Sequence, residues 1–182
     1  MTGTPGTGKS HFAMRLSGSL DSAELIEIND IVERYGLFSG IDHGARVVKM
    51  KQLNDALKKE IKKSKHTLIL VGHLAAEMGL RYDICIVTRS SLSRLAGVFK
   101  ERGYSAKKAR ENLFAEALDY CGIEAGKRSK EVYEVETLKS KREVIDYARA
   151  RLAGKKAKRP ELPRISKMGE LLRRIKSGGI GL

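Results

Sequence analysis

Apolar positions along this chain change period several times. Phe12 and Leu16 stand at i, i+4 behind a glycine-rich opening, which predicts a first helix. Glu24–Ile28 alternates in the manner of a strand. Met50, Leu53, Leu57 and Ile61 recur every three or four positions and predict a helix from about Val48 to Lys63. Thr67–Val71 and Ile84–Val87 are continuous apolar runs of strand length. Ser91–Phe99 and Lys107–Tyr120 read as helices on either side of Arg102-Gly103-Tyr104. Glu131–Glu136 predicts a last short strand and Ser140–Leu152 a last core helix. Strands alternating with helices imply a parallel sheet covered on both faces, an α/β fold in three α/β/α layers.

The opening carries the chemistry. Gly3-Thr4-Pro5-Gly6-Thr7-Gly8-Lys9-Ser10 fits Gly-x-x-x-x-Gly-Lys-Ser, the P-loop pattern, and leads directly into the first helix. Glycines at 3, 6 and 8 let backbone N–H groups turn inward around phosphate oxygens where a Cβ would intrude. The helix N-terminus adds partial positive charge, Lys9 reaches for the β and γ phosphates of ATP, and the Ser10 hydroxyl is the expected Mg²⁺ ligand. A P-loop follows a buried strand, yet only Met1 and Thr2 precede Gly3. Four strand candidates therefore stand where the architecture wants a fifth, and the expectation is a truncated first strand whose natural start lies a few codons upstream.

Length and charge refine this picture. The 182 residues suit one domain and a tail. The net charge is +14, of which the stretch from Arg149 to Leu182 carries +9. A tail so basic predicts a polyanionic partner such as RNA. Trp is absent and aromatics are 5%, which favours phosphate contact over base stacking. Within the tail, Gly154–Pro160 reads as a linker. Ile165, Met168, Leu171, Leu172 and Ile175 then recur at helical spacing, so this segment is either a short amphipathic helix that docks or a free basic extension. Cys85 and Cys121 lack metal-ligand spacing and read as plain thiols in a reducing cytoplasm. No apolar run approaches the ~20 residues needed to cross a bilayer.

Beyond the P-loop, the order of pieces resembles the nucleoside monophosphate kinases, and more narrowly the adenylate kinase isoenzyme 6 family. These are small nuclear or archaeal adenylate kinases and ATPases that assist ribosome assembly. The resemblance rests on Thr2–Ser10, on Gly72-His73 after a strand, and on Arg102-Gly103-Tyr104 followed by Lys107, Lys108, Glu111-Asn112 and Ala115-Glu116, with Val135-Glu136-Thr137 near the end. It covers residues 1–152 as a kinase-like domain and leaves 153–182 as a basic tail. By this resemblance Gly3, Gly6, Thr7, Gly8, Lys9, Ser10 and His11 form the ATP-binding loop. Asp30 opens the monophosphate segment, about 27–50, and Arg102 lies in a lid over ATP, about 101–111. His73 matches a histidine that the family carries after its third strand. Lys9, His73 and Arg102 are the implied catalytic residues, with ATP and Mg²⁺ as cofactors and AMP as co-substrate. A platform protein of the small ribosomal subunit and rRNA are the implied partners.

A nucleotide phosphate is anionic at pH 7, so AMP needs no general base, only positive charge to offset repulsion. Water as acceptor must be oriented and deprotonated, a task that suits a histidine; the alternative for His73 is a simple bond to loop backbone. The sequence departs from the family at Val71, where an acid usually helps hold Mg²⁺, and at Lys49 and Met50, where acids are usual. Asp30 is one residue that could compensate. Arg89 and Arg94 are either phosphate contacts or structural, and Lys58, Lys59, Lys62, Lys63 and Lys65 read as a solvated helix face. His43 and His66 read as surface residues.

Overall fold

A computed structural model describes residues 1–42, 45–136 and 138–178; His43 and Thr137 fall outside them, as do the last four residues of the tail. Helix α1 (Lys9–Ser17) follows the glycine loop, then strand β1 (Ala23–Glu27) and helix α2 (Ile28–Arg34). The antiparallel pair β2 (Phe38–Asp42) and β3 (Ala45–Val48) comes next and leads into α3 (Met50–Lys63). After β4 (Thr67–Val71) a 3-10 turn spans His73–Glu77, followed by β5 (Cys85–Thr88). Helices α4 (Leu92–Glu101), α5 (Ala106–Ala117) and α6 (Tyr120–Arg128) precede β6 (Val132–Val135), α7 (Leu138–Leu152) and α8 (Met168–Lys176).

The four expected core strands are present, in two parallel pairs: β1 beside β4 and β5 beside β6. Met1 and Thr2 join the pairs. The Gly72 N–H donates to the Met1 carbonyl at 3.2 Å, the Thr2 N–H to Ile86 at 2.9 Å, and the Thr88 N–H to Thr2 at 3.0 Å. Thr2 thus makes a single parallel bridge with Val87 at the place expected of the central strand. On the far side of Met1, β4 and β5 face each other across a cavity of about 460 Å³ lined by Leu68, Ile69, Ile84 and Ile86.

Strand alternation sends side chains to two cores. On one face Ile69, Val71, Ile86 and Val135 pack against Phe12, Ala13 and Leu16 of α1 and Val144, Tyr147 and Ala148 of α7. On the other, Leu70 joins Ile28, Ile31 and Val32 of α2 and Leu53 and Leu57 of α3, while Cys85 and Val87 meet Cys121 and Ala125 of α6. Both cysteines are buried free thiols. This is the α/β/α sandwich expected from the pattern. A third cluster lies apart from the sheet: Leu92, Leu95 and Phe99 of α4, Leu113 and Ala117 of α5, and Leu171 of α8.

Two local departures have physical causes. Strands β2 and β3 pair antiparallel, with a register shift between Phe38 and Ile41. The helix expected over 107–120 breaks at Asp119, whose φ of 57° starts α6 instead. The five lysines on and beside α3 are solvent-exposed, and so is His66.

Candidate nucleotide-binding site

Because Thr2 sits at the sheet's centre, the glycine loop emerges between β4 and β5 at their C-terminal ends, where open α/β sheets bind ligands. Gly3 has φ 141°, and a Cβ there would lie 2.5 Å from the Thr88 carbonyl oxygen, so only glycine fits. Gly8 caps α1 with φ 88°, and no side chain caps the helix. Its first turn holds no acid, so the N–H groups at its start suit an anion.

The threonines of the loop are committed inward. The Thr7 hydroxyl donates to the Thr4 carbonyl at 2.8 Å and lies 2.7 Å from the Thr88 hydroxyl. Thr4 donates its hydroxyl to Glu116 Oε2 at 2.6 Å. Lys9 Nζ donates to the Thr4 carbonyl at 3.0 Å, folded back along its own loop. Desolvation lowers its pKa to about 8, with Arg102 pushing the same way and Glu27 and Glu116 opposing. Ser10 and His11 are exposed on the first turn of α1.

His73 follows β4 across the loop, and the Thr2 hydroxyl donates to its carbonyl at 3.1 Å. The residue is exposed at the surface, yet the protein packed around its ring lowers its pKa to about 4, first by desolvation and then through the positive charge of Lys9 and Lys108. The imidazole is therefore neutral at pH 7. Arg102 is exposed at the C-terminal end of α4, and Tyr104 beyond it stacks on Phe99 at 5.1 Å while Lys108 lies over the Tyr104 ring at 4.3 Å. Ser91 and Ser105 cap the N-terminal ends of α4 and α5 with their side chains. Arg102 acts electrostatically on Lys9, and Lys9 on His73, so the three lie within electrostatic reach along this chain of charges.

Other residues singled out in the sequence lie elsewhere. Asp30 is exposed in the first turn of α2 and lines a groove with Arg34, Glu60 and Lys63. Arg89 is 2% exposed and held by Glu116, Asp119 and Glu134, so its guanidinium is structural. Arg94 is exposed on α4. Val71 is fully buried.

Glu27 is a residue the sequence reading passed over. It pairs in register with Val71. Ala23 and Leu25 of β1 pack toward α1, whereas Ile26 packs toward α2 and α3, so alternation puts Glu27 on the α1 face at the strand end nearest Lys9. The alternating run Glu-Leu-Ile-Glu-Ile held this information, but only the register with β4 shows what Glu27 stands beside. Among the described residues no group of three or more His, Cys, Asp or Glu side chains could hold a metal by itself. No helix among them is long and apolar enough to cross a membrane.

Comparison with known proteins agrees with this geometry. An AAA-domain family profile matches residues 1–119. A protein of Archaeoglobus fulgidus named "Putative adenylate kinase" is 32% identical over 181 residues, covering 99% of this chain and 88% of that protein. Proteins with the same name from Methanosarcina barkeri and Halobacterium salinarum are 34% and 35% identical, over 75% of this chain and 75% and 78% of their own lengths. A glycine loop at the centre of a parallel sheet, a lysine turned into it and these relatives together define the kinship: the chain belongs to the adenylate kinase-like family of P-loop proteins, with a nucleoside monophosphate kinase-like fold.

Proposed function

We propose that this protein transfers the γ-phosphoryl group of ATP to AMP, forming ADP from both, and hydrolyses ATP when AMP is absent. The observation that carries this reading is the glycine loop opening α1 at the centre of the parallel sheet, with Lys9 folded back along it and within electrostatic reach of Arg102 and His73. The loop N–H groups, with Gly3, Gly6, Thr7, Gly8, Ser10 and His11, hold the triphosphate. Lys9 leaves the Thr4 carbonyl for the β and γ phosphates. Arg102 closes over them from the lid and, with Lys9, offsets the repulsion between two anions. The segment 27–50 receives the monophosphate, with Asp30 at its outer edge. His73, neutral at pH 7, accepts a hydrogen bond from water and orients it when water replaces AMP.

Mg²⁺ fits the residues present. The Ser10 hydroxyl opens α1 beside Lys9, and Glu27 ends β1 on the same face, one strand away from the buried Val71. Glu27 thereby substitutes for the acid that the family carries at the position of Val71. The bound ion supplies positive charge to the phosphate oxygens. Glu27→Gln should raise the Mg²⁺ concentration needed to bind an ATP analogue by ~10-fold. An unchanged requirement in calorimetric titration would remove Glu27 from the metal site.

The finer placement is the adenylate kinase isoenzyme 6 type, acting in small-ribosomal-subunit maturation with rRNA and a platform protein as partners. The motif resemblance and the basic tail support it. The deciding measurement is ADP formation from ATP and Mg²⁺, with and without AMP, against Lys9→Ala. Stimulation by AMP that is lost in the variant establishes the kinase. Turnover indifferent to AMP identifies an ATP-driven switch, and tight ATP binding with negligible turnover identifies a catalytically weak, ATP-sensing RNA- or protein-binding chaperone, the reading that Val71 and Lys49 favour. Strong AMP-dependent turnover without RNA affinity identifies a metabolic kinase.

A further inference from the structure

The C-terminal segment does not trail from the body. Leu162 packs against the α1–α7 cluster and Leu171 is buried between α4 and α5. The Ile165 N–H donates to Glu134 Oε2 at 2.9 Å, and Lys167 Nζ to Glu136 Oε1 at 2.6 Å. Glu170 accepts from the Ser93 N–H at 2.8 Å, and Arg174 donates to the Ser93 hydroxyl at 3.0 Å. The segment therefore ties the end of β6 to the first turn of α4.

Its contact with Glu134 continues inward to the phosphate loop. Arg164 pairs with Asp119 and, at 2.5 Å, with Glu134. Both carboxylates hold Arg89 Nη1. Arg89 donates through Nε to Glu116 Oε1 at 3.0 Å and through Nη2 to the Glu116 carbonyl at 2.7 Å. Glu116 accepts the Thr4 hydroxyl, and the Thr4 carbonyl accepts Lys9. Each link is a charged or charge-assisted contact, and Arg89, Glu116, Glu134 and Thr4 are nearly inaccessible to water. Three carboxylates surround one buried guanidinium, so Arg164 is the second cation that this cluster uses. Arg164 reaches this buried cluster from the surface, with its side chain 64% exposed, and removing its charge would leave Glu134 and Asp119 to share Arg89 alone.

We infer that Arg164 is a positioning residue for the nucleotide site: the docked C-terminal segment sets the affinity of the phosphate loop through Glu134, Asp119, Arg89, Glu116 and Thr4. This rests on the loop binding ATP, not on which acceptor takes the phosphoryl group. By linkage, ATP must in turn tighten the docked segment.

The test is a double-mutant cycle in the full-length protein, with ATP affinity measured by calorimetry at low temperature and each variant's thermal midpoint recorded alongside. Arg164→Gln should weaken ATP by ~10-fold, within the usual range of coupling between sites. Thr4→Val, which keeps the shape and removes the hydroxyl, should weaken ATP itself and abolish the further effect of Arg164→Gln. Amide exchange across residues 162–171 should slow when ATP binds the wild type and stay unchanged in Thr4→Val. Arg164→Gln with unaltered ATP affinity, or additive effects in the cycle, would overturn the relay and leave the segment as packing. Failure of the wild type to bind ATP would instead defeat the assignment of the loop.

Discussion

At the residue scale, Lys9 shows how burial converts a sequence motif into pH-dependent chemistry. The motif guarantees a cation within reach of phosphate, but the crowded loop lowers its pKa to about 8 in the ligand-free protein. A bound triphosphate favours the charged amine, so binding above that pH takes up a proton. ATP affinity should already be bending downward between pH 7.5 and 8, to about half its plateau at pH 8, and then fall as pH rises, approaching ~10-fold per unit. Lys9→Arg, charged throughout, should flatten the profile; a wild-type profile already flat to pH 9.5 would show that Lys9 keeps its ordinary pKa. His73 obeys the opposite logic for catalysis: with its pKa near 4 it stays neutral across this range, so no acid limb between pH 6 and 7 should come from it.

At the scale of elements, Arg89 ties β5, α5 and β6 together. It satisfies Glu116 and Glu134, both buried, and its removal would strand their carboxylates away from water. Arg89→Ala should therefore cost ~3–5 kcal/mol of stability. A urea titration checks this, and a loss below 1 kcal/mol would mean that the cluster is as weak as a surface ion pair. Helix α8 is a different case, because Leu171 is its one fully buried apolar side chain. Leu171→Ala should release α8 locally, raising amide exchange over 168–176 more than it lowers the global midpoint.

For the whole molecule, charge distribution and docking together decide what the tail can offer a polyanion. Lys158, Arg159, Arg164, Lys167 and Arg174 already bond within the protein, while Lys155, Lys156, Arg173 and Lys176 are exposed. A free tail that neutralised some six phosphates would lose ~300-fold in single-stranded RNA affinity between 50 and 200 mM salt. The docked tail, with about four cations available, should lose only ~50-fold. Filter binding across that range separates the two, and a flat response would exclude phosphate-driven contact altogether.

How much of this was legible beforehand depends on the range of the interactions. The glycine loop, its helix and the four core strands follow from local chemistry: backbone freedom at Gly3, Gly6 and Gly8, and apolar periods of two or near four. The pairing of β2 with β3 was not legible, because short strands broken by Ser39 and Gly40 carry no clear alternation. The break at Asp119 had no glycine to announce it. Arg89 read as a possible phosphate ligand because nothing near it in sequence shows that Glu116, Asp119 and Glu134 surround it. Glu27 read as one residue of an alternating strand until its register with Val71 put it beside the site. The sequence by itself determined the phosphate loop, the fold class and the excess of charge at the C-terminal end, since each is encoded in neighbouring residues. Only the tertiary structure decided which carboxylate stands by the loop, which arginine is consumed in the core and where the tail rests, because each depends on side chains brought together from distant parts of the chain.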